Sequence, residues 1–374
     1  MKRVTFKMFA CVLVVLTLTV FTFGQVAGVQ NQQHGHVKQA LDDYFTQQHE
    51  AGILNGMVLI AKEGEIFLKK GYGMADYETG TSNNPSTVFN IGSMSKAFAS
   101  MSIMMLEERG LLNVDDTIDQ YIPGFPNGDL ITIHQCLTHT SGLYRYVKSP
   151  DSELWQNSNW AQFHTTGQLM QHFMYQPLQF EPGSNHLYCN SGYVVLGVII
   201  ENVSGMSFRD FIKINILDPL NMKSTSYDPY EVDFQNKVAT GYDSILEQPA
   251  EAMYLHPTVA FSAGGIFSNI NDIYKWDQVL YTEQLVSTQT LEKMFTPGPG
   301  NYGYAWRITQ LEYKGLMHKQ IWHAGSYPGY HSLICRFVDE NITVIILANI
   351  SNSDPSTQAK LMVDDAFYMI WDAR

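Results

Sequence analysis

Strand-like runs lie near both ends of this 374-residue chain, and the long stretch between them reads as helix. Gly56 to Lys62 and Glu65 to Gly71 form a hairpin pattern through a turn at Glu63-Gly64. Near the other end, Tyr302 to Ile308, Gly315 to Trp322, His331 to Phe337 and Thr343 to Asn349 alternate or run apolar, with a turn at Asp339-Glu340-Asn341. Between them, Lys96 to Arg109, Thr166 to Met174, Gly192 to Val203 and Phe208 to Ile216 carry helical spacing. Gly110 stands where a helix-terminating glycine belongs. Amphipathic helices over Val37 to His49 and Gln358 to Trp371 complete the pattern. Strands this far apart must find one another to bury their apolar faces. The expected fold is therefore α/β (α+β): an antiparallel sheet built from both chain ends and flanked by helices, with an inserted, mostly helical domain. The sheet regions are expected at about 37–92 and 300–374, and the helical insertion at about 97–260.

The N-terminus constrains location. Lys2, Arg3 and Lys7 precede an apolar run from Met8 to Phe23, and the small residues Gly24 and Ala27 follow. That run falls short of the ~20 residues a comfortable membrane span needs. Residues 1–27 are expected to be a signal peptide cleaved near Gly24 or Ala27, with an uncleaved membrane anchor as the alternative. Residues 28–36 form a polar lead-in, and 37–374 a domain outside the cytoplasm, secreted or tethered through the uncleaved segment. Cysteines stand only at 11, 136, 189 and 335. Signal removal would leave three, an odd number that describes buried packing residues and not a disulfide framework. The formal net charge of −13 repels phosphate backbones and argues against a nucleic-acid partner.

Chemistry concentrates in three motifs. Ser93-Met94-Ser95-Lys96 is the only Ser-x-x-Lys in the chain. If a helix begins near Ser93, Lys96 lies one turn on and on the same face, where an amine can take the proton of a serine hydroxyl that is otherwise a poor nucleophile. Alone, such a pattern is expected about once by chance in a chain this long, as a capping serine with a solvated lysine. Two further motifs make it specific: Tyr188-Cys189-Asn190, the only Tyr-x-Asn, and His323-Ala324-Gly325, the only His-x-Gly.

With these motifs the sequence resembles the serine β-lactamase and penicillin-binding-protein family, on the side of class C β-lactamases, D-alanyl-D-alanine carboxypeptidases and related esterases. The resemblance spans roughly Val37 to Trp371. It includes Phe89-Asn90-Ile91-Gly92-Ser93, Leu137-Thr138-His139-Thr140-Ser141-Gly142-Leu143, Phe180-Glu181-Pro182-Gly183, Asp218-Pro219-Leu220-Asn221-Met222 and Ser262-Ala263-Gly264-Gly265-Ile266. The resemblance implies that Ser93 forms an acyl-enzyme and that Lys96 and Tyr188 share the work of general base. The Tyr188 phenol, ordinarily at a pKa of ~10, would need the Lys96 cation beside it to ionise near neutrality. Asn190 would bind the substrate amide or the Lys96 amine. Substrate binding would also involve His323, Gly325 and Ser326, with the backbone N–H groups of Ser93 and Ser326 forming the oxyanion hole. The implied substrates are esters, D-amino-acid peptides or β-lactams, with peptidoglycan as a partner, and neither cofactor nor metal is implied.

The third motif departs from typical β-lactamases, which carry lysine where this chain has His323. A histidine at that position implies weaker, pH-dependent carboxylate binding, and esters or D-amino-acid peptides ahead of β-lactams as substrates. The alternatives within the family are a β-lactamase and a penicillin-binding sensor that acylates without efficient turnover. A zinc hydrolase would need a motif such as His-Glu-x-x-His, and an α/β-hydrolase Gly-x-Ser-x-Gly; neither occurs.

Overall fold

The structure, a computed structural model, describes residues 35–147, 161–227, 237–246, 248–351 and 355–372. The expected export segment and most of the lead-in lie outside these. Six antiparallel strands form the main sheet: β1 (Gly56–Lys62), β2 (Glu65–Tyr72), β3 (Arg307–Tyr313), β4 (Leu316–Tyr327), β5 (Tyr330–Phe337) and β6 (Ile342–Ala348). Their order is β2-β1-β6-β5-β4-β3, so the two chain ends meet in the middle of the sheet. Gly56 pairs with Ala348 and Lys62 with Ile342.

The central strands are apolar on both faces because both faces are covered. From β1, Val58 and Ile60 pack with Leu41, Phe45, Val363 and Phe367. Those partners come from α1 (35–50) and α4 (Pro355–Asp372). Met57, Leu59 and Ala61 point the other way, into a core shared with α2 (Ser95–Glu108) and α3 (Asn190–Ser204). Each such aliphatic side chain contributes about 1.5–3 kcal/mol on full burial. The α2 helix is buried almost all round from Ser95 to Leu106, which marks it as the central pillar of the helical region. Gly110, at φ 68°, ends its C-terminal turn as expected. Among the described residues no single helix is long and apolar enough to cross a membrane.

Three boundaries differ from expectation. The lead-in was expected to reach residue 36, but α1 already begins at 35. The edge strand was expected at Tyr302 to Ile308 and instead runs Arg307–Tyr313. Residues 302–306 are apolar because they are buried in a folded turn, where Ala305 takes φ 68° and the Gly303 N–H meets the Trp306 carbonyl at 2.8 Å. Finally, β4 continues to Tyr327, so His323-Ala324-Gly325 lies within a strand and not at its end. Cys136, Cys189 and Cys335 are free and buried.

Candidate active site

Ser93 sits in a 3-10 turn, Gly92–Met94, that leads directly into α2. The turn is held from three directions. Asn90 Oδ1 accepts the Gly92 N–H at 2.7 Å, Ser332 Oγ donates to the Ile91 carbonyl at 2.7 Å, and the Ile91 N–H meets the Ile266 carbonyl at 3.0 Å. Two glycines let it press against β4. A Cβ at Gly92, whose φ is 50°, would lie 2.7 Å from the Ser326 nitrogen, and one at Gly325 would lie 2.0 Å from the Ile91 oxygen. The Ser326 amide is thereby held beside the serine turn.

Lys96, on the first turn of α2, is fully buried. Its Nζ lies 3.0 Å from Ser93 Oγ and donates to the Ala263 carbonyl at 2.7 Å. It also faces the rings of Tyr188 and Tyr193, at 5.0 and 5.4 Å from their centroids. Burial pulls its pKa down to about 7, only partly offset by Cys189. At neutral pH an appreciable fraction of the amine is therefore free to accept a proton.

Tyr188 and Asn190 enter from the segment that leads into α3. Burial raises the Tyr188 phenol above its ordinary pKa; the nearby Ser93 hydroxyl, Arg307 and Arg145 favour the phenolate without overcoming that effect. The Tyr188 hydroxyl and Asn190 Oδ1 are both shielded from solvent, and neither makes a regular hydrogen bond. Asn190 Oδ1 thus does not engage the Lys96 amine. The charges are arranged differently from a phenolate held by a lysine cation: it is the lysine whose charge burial weakens, while the phenol keeps its proton.

His323 projects from β4, and both of its ring nitrogens are committed. Nδ1 faces the Ala324 carbonyl at 2.7 Å, so it must carry the proton, and Nε2 accepts from the Tyr302 hydroxyl at 2.8 Å. Burial, together with Lys96 and Arg307, holds its pKa at about 3. The expected pH-dependent capture of a carboxylate at this residue does not fit a ring that stays neutral throughout the physiological range.

Ser93, Tyr188, Asn190, His323 and Ser326 line one cavity of about 450 Å³. Lys96 reaches it from beneath Ser93, and Gly325 supports it from within β4. The cavity also carries two residues that the motifs did not indicate, Arg145 and Arg307. Among the described residues neither arginine makes an ion pair, and the Arg307 guanidinium lies 5.8 Å from the Tyr302 ring centroid and 5.6 Å from that of Trp322. Arg307 was hidden by the misplaced edge strand, of which it is the first residue. Arg145 follows Leu137 to Leu143 closely enough that this stretch was its one signal. Among the described residues no group of three His, Cys, Asp or Glu could hold a metal ion.

The family model for Beta-lactamase matches residues 40–367, nearly the whole described chain. The chain belongs to the beta-lactamase family. It is 30% identical to Penicillin-binding protein 4* of Bacillus subtilis, over 86% of this chain and 73% of that protein. Among solved structures it resembles the octameric penicillin-binding protein homologue from Pyrococcus abyssi, at 29% identity and TM-score 0.76, covering 88% and 77% of the two chains. The D-amino acid amidase from Ochrobactrum anthropi shares the fold of this beta-lactamase family member, with TM-score 0.77 at 22% identity and coverage of 91% and 99%.

Proposed function

We propose that this protein is a serine hydrolase that acylates itself on Ser93 and cleaves an ester or a D-amino-acid peptide bond. The observation that carries this reading is the Lys96 amine, 3.0 Å from Ser93 Oγ and with its pKa lowered to about 7 by burial. In its neutral form Lys96 takes the Ser93 proton as Oγ attacks the carbonyl carbon. The tetrahedral oxyanion is stabilised by the backbone N–H groups of Ser93 and Ser326, one such donor being typically worth about 3 kcal/mol. As the bond to the leaving group breaks, the unpartnered Tyr188 hydroxyl donates its proton to the departing alkoxide or amine and regains one from Lys96. Water then releases the acyl group by the same steps in reverse. Asn190, its Oδ1 unpaired and shielded, accepts from an amide N–H of the substrate.

The neutral His323 leaves Arg307 and Arg145 to supply the cavity's positive charge, which suits a substrate carboxylate such as the C-terminus of a D-amino-acid peptide. The printed names of the relatives extend this reading to β-lactams, which also carry a carboxylate, and to peptidoglycan as a partner. Export through residues 1–27, cleaved or retained as an anchor, would bring the protein to those substrates.

Incubation of the purified protein with a fluorescent penicillin and a fluorophosphonate, followed by mapping of the labelled peptide, tests the proposal. Label is expected on Ser93 and lost in Ser93→Ala. Label on another residue, or undiminished label in that variant, overturns it. Release of product in many-fold excess over protein from p-nitrophenyl esters or D-Ala-D-Ala peptides separates an enzyme from a sensor that stops after one equivalent.

A further inference from the structure

Tyr188 is gripped from both sides by one residue outside the three motifs. His139, 1% exposed, follows the short helix Ile133–Leu137 and takes φ 60°. Its carbonyl accepts the Leu187 N–H at 3.0 Å, and its ring Nδ1 accepts the Cys189 N–H at 3.2 Å. The same ring lies against that of Tyr188, with centroids 4.2 Å apart. The peptide groups that flank Tyr188, and its ring, thus all meet His139. The surrounding loop repeats the grip along the same segment. The Thr140 carbonyl holds the Gly183 N–H and the Gly142 carbonyl the Gln179 N–H, each at 2.8 Å, while Ser191 Oγ donates to the Tyr144 carbonyl at 2.5 Å.

Nδ1 can accept the Cys189 N–H only while it carries no proton, which places the ring proton on Nε2. Nε2 is buried and has no partner. Burial, with Lys96, His323, His186 and Arg307 around it, keeps His139 from taking a second proton, so the acceptor persists at working pH.

We propose that His139 is a positioning residue for the Tyr188 proton donor: its Nδ1 and carbonyl fix the peptide groups around Tyr188, and so hold the phenol over Lys96 and Ser93. The inference rests on the reading of Ser93 as nucleophile and Tyr188 as the acid that serves the leaving group. Displacement of a reacting group by about 1 Å can cost roughly 100-fold in rate. A misplaced Tyr188 should be felt most where the leaving group needs a proton.

The test compares alkyl esters, whose alkoxide must be protonated as it departs, with p-nitrophenyl esters of the same acid, whose phenolate leaves unaided. His139→Phe keeps a buried ring but removes the acceptor, and His139→Asn offers an oxygen close to where Nδ1 lies in a residue that tolerates positive φ. In the Phe variant kcat for the alkyl ester is expected to fall about 10- to 100-fold. The p-nitrophenyl ester should lose less than about threefold, with little change in KM and with fluorophosphonate labelling of Ser93 retained. The Asn variant should recover most of the alkyl-ester rate. Should the Phe variant not fold, His139→Gln, which moves the acceptor outward, is read in the same way. Equal losses on both esters, or no loss on either, overturn the role of His139. Full activity in Ser93→Ala would instead overturn the reading on which it rests.

Discussion

The Tyr302 hydroxyl donates to His323 Nε2 at 2.8 Å, and this contact closes the remaining nitrogen of a buried, neutral imidazole. A histidine whose folded pKa is lowered to about 3 binds a proton more readily in the unfolded chain, where its pKa is near 6.5. Its neutral form therefore supports the fold fully above about 6.5 and loses that support as pH falls toward about 3. Urea unfolding at pH 7 and pH 5 should show the loss, and His323→Asn should show a shallower loss than the parent. Tyr302→Phe, which leaves a buried acceptor unpaired, should cost about 1–3 kcal/mol at pH 7. Equal pH slopes in the parent and His323→Asn would show that the ring does not remain neutral.

Lys96 sets the pH dependence of acylation. With its pKa near 7, the rate of ester acylation should climb with pH through about 7 and level off above it, as the amine loses its proton. Lys96→Arg keeps the charge and cannot be deprotonated, so acylation should fall by about 100- to 10,000-fold at every pH. A flat profile in the parent between pH 5.5 and 8.5, in pre-steady-state burst measurements, would remove Lys96 from the role of base.

The same burial carries a stability cost. A lysine with its folded pKa lowered from 10.5 to about 7 holds fewer protons in the folded than in the unfolded state between those values, so its cost is greatest below about 7 and fades as pH rises toward 10.5. Lys96→Met should be inactive yet more stable than the parent at pH 6, by about 1–3 kcal/mol, with the gain shrinking by pH 9. Chemical denaturation at the two pH values reads this directly.

Arg307 and Arg145 are expected to sort substrates by charge. Arg307→Ala should raise KM for a carboxylate-bearing D-amino-acid peptide by about 10- to 100-fold, the value of one charge-assisted contact. It should change a neutral ester far less, and Arg307→Lys should recover only part of the loss because the planar fork is gone. Salt should weaken the peptide and spare the ester. A KM for the peptide that is insensitive to both arginines would move the carboxylate elsewhere in the cavity.

The sheet was legible because its central strands, such as Met57 to Ala61 and Thr343 to Ala348, are apolar on both faces and stand at opposite ends of the chain. The edge was less so. Tyr302 to Trp306 is as apolar as a strand, yet it is buried by a turn that Ala305 permits, whereas β3 alternates weakly because one side of it meets solvent. At the site, Ser93, Lys96, Tyr188, Asn190 and His323 could be read from spacing. Their protonation could not. That Lys96 and not Tyr188 loses its ordinary pKa follows from burial by α3 and from the Ala263 carbonyl, and that His323 is closed follows from Tyr302, a neighbour in space that no local pattern marks.

The close approach of the serine turn to β4 gives the most local prediction. The Gly325 Cα faces the Ile91 carbonyl, where an added Cβ would sit 2.0 Å from the oxygen and 2.4 Å from Ser332 Oγ. Backbone atoms on one side and a hydrogen-bonded serine on the other leave no flexible end to yield. Gly325→Ala must push the turn away from β4, and with it separate the Ser93 and Ser326 amides that share the oxyanion. Lys96 stays on α2 and keeps its distance from Ser93, so proton removal survives while oxyanion stabilisation does not. kcat for a p-nitrophenyl ester should fall about 100- to 1,000-fold, as for loss of one oxyanion donor, with KM changed little. Gly92→Ala, with its Cβ 2.7 Å from the Ser326 nitrogen and its positive φ, should act in the same direction. Unimpaired turnover in Gly325→Ala would show that the Ser326 amide takes no part in the oxyanion hole.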